Sequence, residues 1–104
     1  MTVYVINNMT VHDRDEYKTY LRAFMPVFEG YAGTVLAAQN APVPLEGNWP
    51  FDRTVLLSFP SMAAASRWVQ SQEYQRIAKH RRAGTVSNVV MLEGIRTTER
   101  NADT

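Results

Sequence analysis

Arg53-Thr54-Val55-Leu56-Leu57-Ser58-Phe59-Pro60-Ser61 reads as a strand that stops and hands over to a helix. The β-branched and aliphatic run favours extended backbone. Pro60 has no N–H to give a ladder, and Ser61 is a residue type that caps helix N-termini. Within the strand, Val55, Leu57 and Phe59 share one face while Leu56 lies on the other. A sheet with one wet face alternates apolar with polar residues. This strand is apolar on both sides.

Downstream, Ala64, Ala65, Trp68 and Val69 form the apolar side of the helix. Ser71 is a fresh cap, and it predicts a separate helical stretch through Tyr74, Ile77, Ala78 and Arg81 to Gly84. Asn88 to Glu93 reads as the last strand. Upstream, Val3 to Met9 is the first strand, and Asp13 with Glu16 three residues on makes a capping-box pattern. Tyr17, Tyr20, Leu21, Phe24, Val27 and Phe28 then recur at helical spacing as one stripe. Pro26 predicts a kink, and Gly30 and Gly33 predict a left-handed close to the helix. Thr34 to Ala38 is the second strand. Asn40 to Asp52 contains three prolines and a glycine and reads as a long irregular connection.

The predicted order is strand, helix, strand, strand, helix, strand. That is an α+β, ferredoxin-like βαββαβ arrangement, a four-stranded antiparallel sheet with its helices on one face. It fills one domain over residues 1–95, followed by a polar tail at 96–104. The first strand repeats the two-sided pattern, Val3 and Val5 against Tyr4 and Ile6. The last strand sets Val90 and Leu92 against Val89 and Met91. The helices hide one face and leave about six large side chains, each worth roughly 1.5–3 kcal/mol when fully buried. Soluble monomers rarely expose such a patch. A homodimer through the sheet faces is the expected solution. The plainer alternative is an irregular pattern in short strands, partly covered by the long loop.

Composition narrows the function classes. The 104 residues are 45% hydrophobic and 20% charged, with 11 Lys+Arg against 10 Asp+Glu and a net charge of +1. That balance argues against a nucleic-acid partner and a polybasic membrane surface. No apolar run approaches the roughly 20 residues that span a bilayer. Met1-Thr2-Val3-Tyr4 lacks a basic segment leading into an apolar stretch, so a cytoplasmic location is expected. With no Cys, thiol chemistry and Cys-based zinc sites are excluded. His12 and His80 have no metal-ligand spacing, and there is neither a Gly-rich phosphate loop nor a nucleophile elbow. No metal and no cofactor are expected.

Several blocks resemble one family. Val11-His12-Asp13-Arg14-Asp15-Glu16-Tyr17-Lys18-Thr19-Tyr20 is similar to its first-helix start. Leu45-Glu46-Gly47-Asn48-Trp49, Arg53-Thr54-Val55 and Phe59-Pro60-Ser61 are similar to its central block. Ser71-Gln72-Glu73-Tyr74-Gln75, Arg81 and the closing Glu93-Gly94 extend the likeness over roughly residues 3 to 95. The family is domain of unknown function 1330, of the dimeric α+β barrel superfamily. The resemblance implies a ferredoxin-like protomer that dimerises through its sheets. The wider superfamily holds cofactor-free monooxygenases, a lactone isomerase, haem enzymes and members without known chemistry, so the likeness says little about reaction. Ala32, Thr34, Val69 and Gln72 depart from the family pattern, and a basic group at the head of the second strand is absent.

Candidate residues cluster around the long connection and the two helical regions. Glu46 is a candidate general base or orienting carboxylate, and Arg53 a candidate anion contact. Alternatively the two form an ion pair that pins the loop. His12 is a candidate acid or base, or an ordinary exposed loop histidine beside the capping Asp13. Tyr17, Tyr20 and Tyr74 either meet an aromatic ligand or pack in the core with their hydroxyls outward. Lys79-His80-Arg81-Arg82 complements a helix C-terminus as a solvated face. Arg81 follows the apolar stripe and matches the family, which makes it a candidate to reach inward, to Glu46 or to a ligand.

Three functional readings follow. The first is a binding protein for a small, partly apolar, acidic molecule. Its pocket, between sheet and first helix or at the dimer seam, is lined by Tyr17, Phe24, Trp49 and Tyr74, with Arg53 and Arg81 taking the acidic group. The second is a cofactor-independent oxygenase- or isomerase-like enzyme using Glu46 or His12 as base. The third is an interaction module without a pocket.

Overall fold

The structure, a computed structural model, describes residues 1–95. The tail reading for 96–104 lies outside the described residues. The elements are β1 (Val3–Val11), α1 (Arg14–Phe28), a 3-10 turn (Glu29–Tyr31), β2 (Thr34–Asn40), β3 (Arg53–Phe59), α2 (Met62–Gln70), α3 (Gln72–Gly84) and β4 (Thr85–Glu93). The strands form one antiparallel sheet in the order β2-β3-β1-β4. This is the ferredoxin-like α+β arrangement, with the second helical crossover split in two at Ser71.

The caps form as the residue types dictate. The Asp13 carboxylate accepts from the backbone N–H groups of Asp15 and Glu16. Ser61 Oγ accepts from Ala64, and Ser71 Oγ from Tyr74, at 3.1 Å each. α1 continues through Pro26 to Phe28. The left-handed residue after it is Ala32, at φ 60°, rather than a glycine. Gly33 has a different task, because a Cβ there would collide with the rings of Phe28 and Phe59. Gly84 is also a site of close approach. A Cβ on it would lie 2.6 Å from the Asp13 carbonyl oxygen. Its own carbonyl accepts from the N–H groups of His12 and Asp13. That contact joins the end of α3 to the start of α1. β4 begins at Thr85, earlier than the predicted Asn88, because the chain turns from helix to strand with no intervening loop.

Register sorts the two faces. Val3, Val5, Asn7 and Met9 of β1 pair with Phe59, Leu57, Val55 and Arg53 of β3, and cross-strand partners share a face. This inner face meets the helices. Val3, Phe28, Phe59, Ala65 and Trp68 are buried at one end of the layer between sheet and helices. The Phe28 ring stands edge-on to both Phe59 and Trp68, with centroids 5.7 and 5.0 Å away. The outer face carries Tyr4, Ile6 and Leu56, with Val86, Val90 and Leu92 of β4 exposed there.

Candidate functional site

The other end of the same layer is not filled. A cavity of about 560 Å³ opens between the inner face of the sheet and the helices. That is the size of a small-molecule site. Its floor is Val5, Asn7 and Met9 of β1, Val55 and Leu57 of β3, and Val89 and Met91 of β4. Its roof is Tyr17, Tyr20, Phe24 and Met25 of α1, with Trp68, Tyr74 and Arg81 closing the side. The tyrosines lie there because 17, 20 and 24 follow helical spacing, and α1 lays that stripe over the sheet. Tyr17 and Tyr20 stack at 5.9 Å between centroids.

Two guanidinium groups reach the wall from opposite layers. Arg53 enters from the first residue of β3, on the inner face. Its Nε donates to Tyr17 Oη at 3.0 Å and its Nη1 to Asn40 Oδ1 at 2.9 Å. Its Cζ lies 5.9 Å from the centre of the Tyr17 ring. Arg81 enters from α3, four residues beyond Ile77 on the apolar stripe, and only 5% of its surface is exposed. Its Nη2 donates to Tyr74 Oη at 3.0 Å, and its Cζ lies 5.9 Å from the Tyr20 ring centre. Arg81 Nε is buried with no acceptor among the described residues, and so is the acceptor Asn7 Oδ1 without a donor.

Among the described residues the wall carries no Asp, Glu or His. Arg82 stands on it as well, exposed, donating to Gln75 Oε1 at 2.9 Å. The electrostatics are therefore one-sided, cationic on an apolar lining. Burial pushes the Tyr20 hydroxyl well above the ordinary tyrosine range, so it stays neutral and keeps its proton for donation. Tyr17 and Tyr74 each accept from an arginine, which leaves their own O–H free to donate. A hydroxyl polarised by a cation is a stronger donor to an anionic oxygen.

Of the residues singled out from the sequence, the structure brings Tyr17, Phe24, Tyr74, Arg53 and Arg81 together on this wall. It does not bring Trp49, Glu46 or His12 there. Trp49 is 42% exposed and packs edge-on against Phe51 within the long connection. Glu46 lies on the exposed part of that connection, and His12 is exposed between β1 and α1. The anticipated Glu46–Arg53 ion pair is replaced by the contacts of Arg53 with Tyr17 and Asn40. The connection is pinned at its base by Asp52, whose Oδ2 accepts from the Val11 N–H at 2.8 Å. Of the basic run, His80 pairs with Glu16 at 2.8 Å, across α1 and α3. Asn7 escaped the sequence reading. Its signal was available: a polar residue at an inner-face position between Val5 and Met9 is out of pattern.

No helix among the described residues is long and apolar enough to cross a membrane. No group of three His, Cys, Asp or Glu among the described residues is placed to hold a metal ion.

A four-stranded antiparallel sheet with helices on one face, enclosing an arginine-lined cavity, defines a ferredoxin-like α+β protein. The chain belongs to the family described as domain of unknown function (DUF1330), which matches residues 2–95. Among solved structures it is similar to a protein of unknown function from Rhodopseudomonas palustris. The identity is 22% and the TM-score 0.76, over 91% of this chain and 83% of that one. It is also similar to a dimeric ferredoxin-like protein of unknown function from Jannaschia sp. CCS1. There the identity is 17% and the TM-score 0.65, over 90% of this chain and 100% of that one. A third similar structure is SnoaB, a cofactor-independent oxygenase from Streptomyces nogalater. The identity is 15% and the TM-score 0.65, over 92% of this chain and 95% of that one. At these identities the likeness speaks for the fold alone. No curated protein matches the sequence.

Proposed function

We propose that this protein binds a small, largely apolar anion in the cavity between its sheet and its helices. The observation that carries this reading is Arg81, a nearly fully buried cation on an apolar wall with no carboxylate among the described residues. Taking an ion out of water costs several kcal/mol unless something of opposite charge receives it. The described residues supply aromatic faces and hydroxyl donors, and leave the charge itself uncompensated. An anion with an apolar body satisfies both requirements of the wall.

The enzyme reading needs a proton acceptor within hydrogen-bond reach of the ligand. Glu46 and His12 both stand off the cavity wall, so the geometry favours binding. The protein acts as a homodimer joined through the outer sheet faces. Exposed Val86, Val90 and Leu92 support this, and so does the likeness to a structure described as dimeric.

Titration with 2-naphthoate and with the uncharged 2-naphthamide, followed by tryptophan fluorescence, tests the ligand charge. The acid binds and the amide binds about tenfold or more weakly, the loss expected for one charge-assisted contact. Equal affinities overturn the reading. Light scattering on the eluting protein gives about twice the monomer mass, and Val90→Asp converts it to monomer. A wild-type monomer at micromolar concentration overturns the assembly.

A further inference from the structure

The two guanidinium groups are separate centres. Arg53 comes from the sheet and Arg81 from α3, and they bracket the stacked Tyr17–Tyr20 pair, each 5.9 Å from its own ring. Each donates to a different tyrosine hydroxyl, Arg53 to Tyr17 and Arg81 to Tyr74. Neither pairs with a carboxylate among the described residues. Two like charges lining one cavity repel each other, and neither has an anionic partner among the described residues. A single anionic group placed at one centre leaves the other uncompensated. Resting on the anion-binding reading above, we infer that the ligand is a dianion. Its two carboxylate-type groups are separated by an apolar body, with one end at Arg53–Tyr17 and the other at Arg81–Tyr74.

The chemistry of the wall fits that class. At each end a guanidinium backs a hydroxyl whose proton is free to donate, giving two polarised donor sites for oxygen acceptors. Most of the remaining lining is apolar, including Val5, Leu57, Phe24 and Val55, with Asn7 as a polar exception. A volume of about 560 Å³ admits an aromatic ring or a medium-length chain between the two ends. Arg82, exposed at the rim, adds attraction for an incoming anion.

The test titrates the wild-type protein with 2,6-naphthalenedicarboxylate and suberate, each against its monomethyl ester, by calorimetry. The dianions bind about ten- to a hundredfold tighter than the monoesters, the size of one further charge-assisted hydrogen bond. Arg53→Gln abolishes that preference by weakening the dianions towards the affinity of their monoesters. Arg81→Gln lowers affinity for both. Circular dichroism checks that each variant folds, and if Arg81→Gln does not, Arg53→Gln with its half-exposed site decides alone. Monoesters that bind as tightly as dianions, or a preference that survives Arg53→Gln, overturn the dianion and leave anion binding standing. No binding by any of these probes overturns both.

Discussion

The layer between sheet and helices has two ends built from the same elements, and they behave differently. At the Phe28–Trp68 end, Val3, Phe59 and Ala65 are at most 1% exposed and the rings interlock. At the other end, β1 continues with Asn7, β3 begins with Arg53, and α3 sends in Arg81, leaving a cavity. A small domain can thus pack one end of a layer densely and leave the other end of the same layer hollow. Dry packing is sensitive to any loss of volume, whereas the open end holds two guanidinium groups with no carboxylate partner among the described residues.

Substitutions at the two ends are expected to act very differently. Phe59→Ala at the dry end costs about 3–5 kcal/mol of unfolding free energy in urea titrations. A loss near 1 kcal/mol would mean that this end is loosely packed. Arg81→Met at the open end leaves the ligand-free protein unchanged or stabilises it by up to about 2 kcal/mol, because a buried charge without a counter-ion is removed. The same titration reads it, and a destabilisation of about 3 kcal/mol would make Arg81 a structural strut. Val55→Ala, on the cavity floor, costs about 1 kcal/mol, since its neighbours already border empty space. A cost like that of Phe59→Ala would show the cavity to be closed in solution. Glu16→Gln removes the exposed partner of His80 and changes stability by less than about 0.5 kcal/mol. A larger loss by thermal unfolding would show that the seam between α1 and α3 depends on that pair.

The fold was legible because its punctuation is local. Asp13, Ser61 and Ser71 announce helix starts, Pro60 ends a strand, and β3 runs from Arg53 to Phe59 as its residues suggest. The errors fall where tertiary contacts outweigh local preference. β4 starts at Thr85 because Gly84 is held by the start of α1, which lets the chain turn directly from helix to strand. The left-handed position falls on Ala32, while Gly33 leaves room for the rings of Phe28 and Phe59.

The site was half legible. Tyr17, Phe24 and Tyr74 stand out at stripe positions, Arg81 by its place after a stripe and its match to the family, and Arg53 by its place beside the long connection; all five border the cavity. Trp49, Glu46 and His12 were named from a long connection and a loop, where no periodicity says which way a side chain points. They lie off the wall. The identity of Arg53's partners could not be read at all, since Tyr17 and Asn40 become neighbours only through strand pairing and helix packing.

By itself the sequence determined which segments are strands and helices, and that the sheet is apolar on both faces, because capping and alternation act over a few residues. Only the tertiary structure decided that the inner layer is solid at one end and hollow at the other. It also decided that two arginines far apart in the chain face that hollow with no carboxylate beside them among the described residues. Charge compensation depends on which side chains meet in space, and neither spacing nor composition encodes that directly.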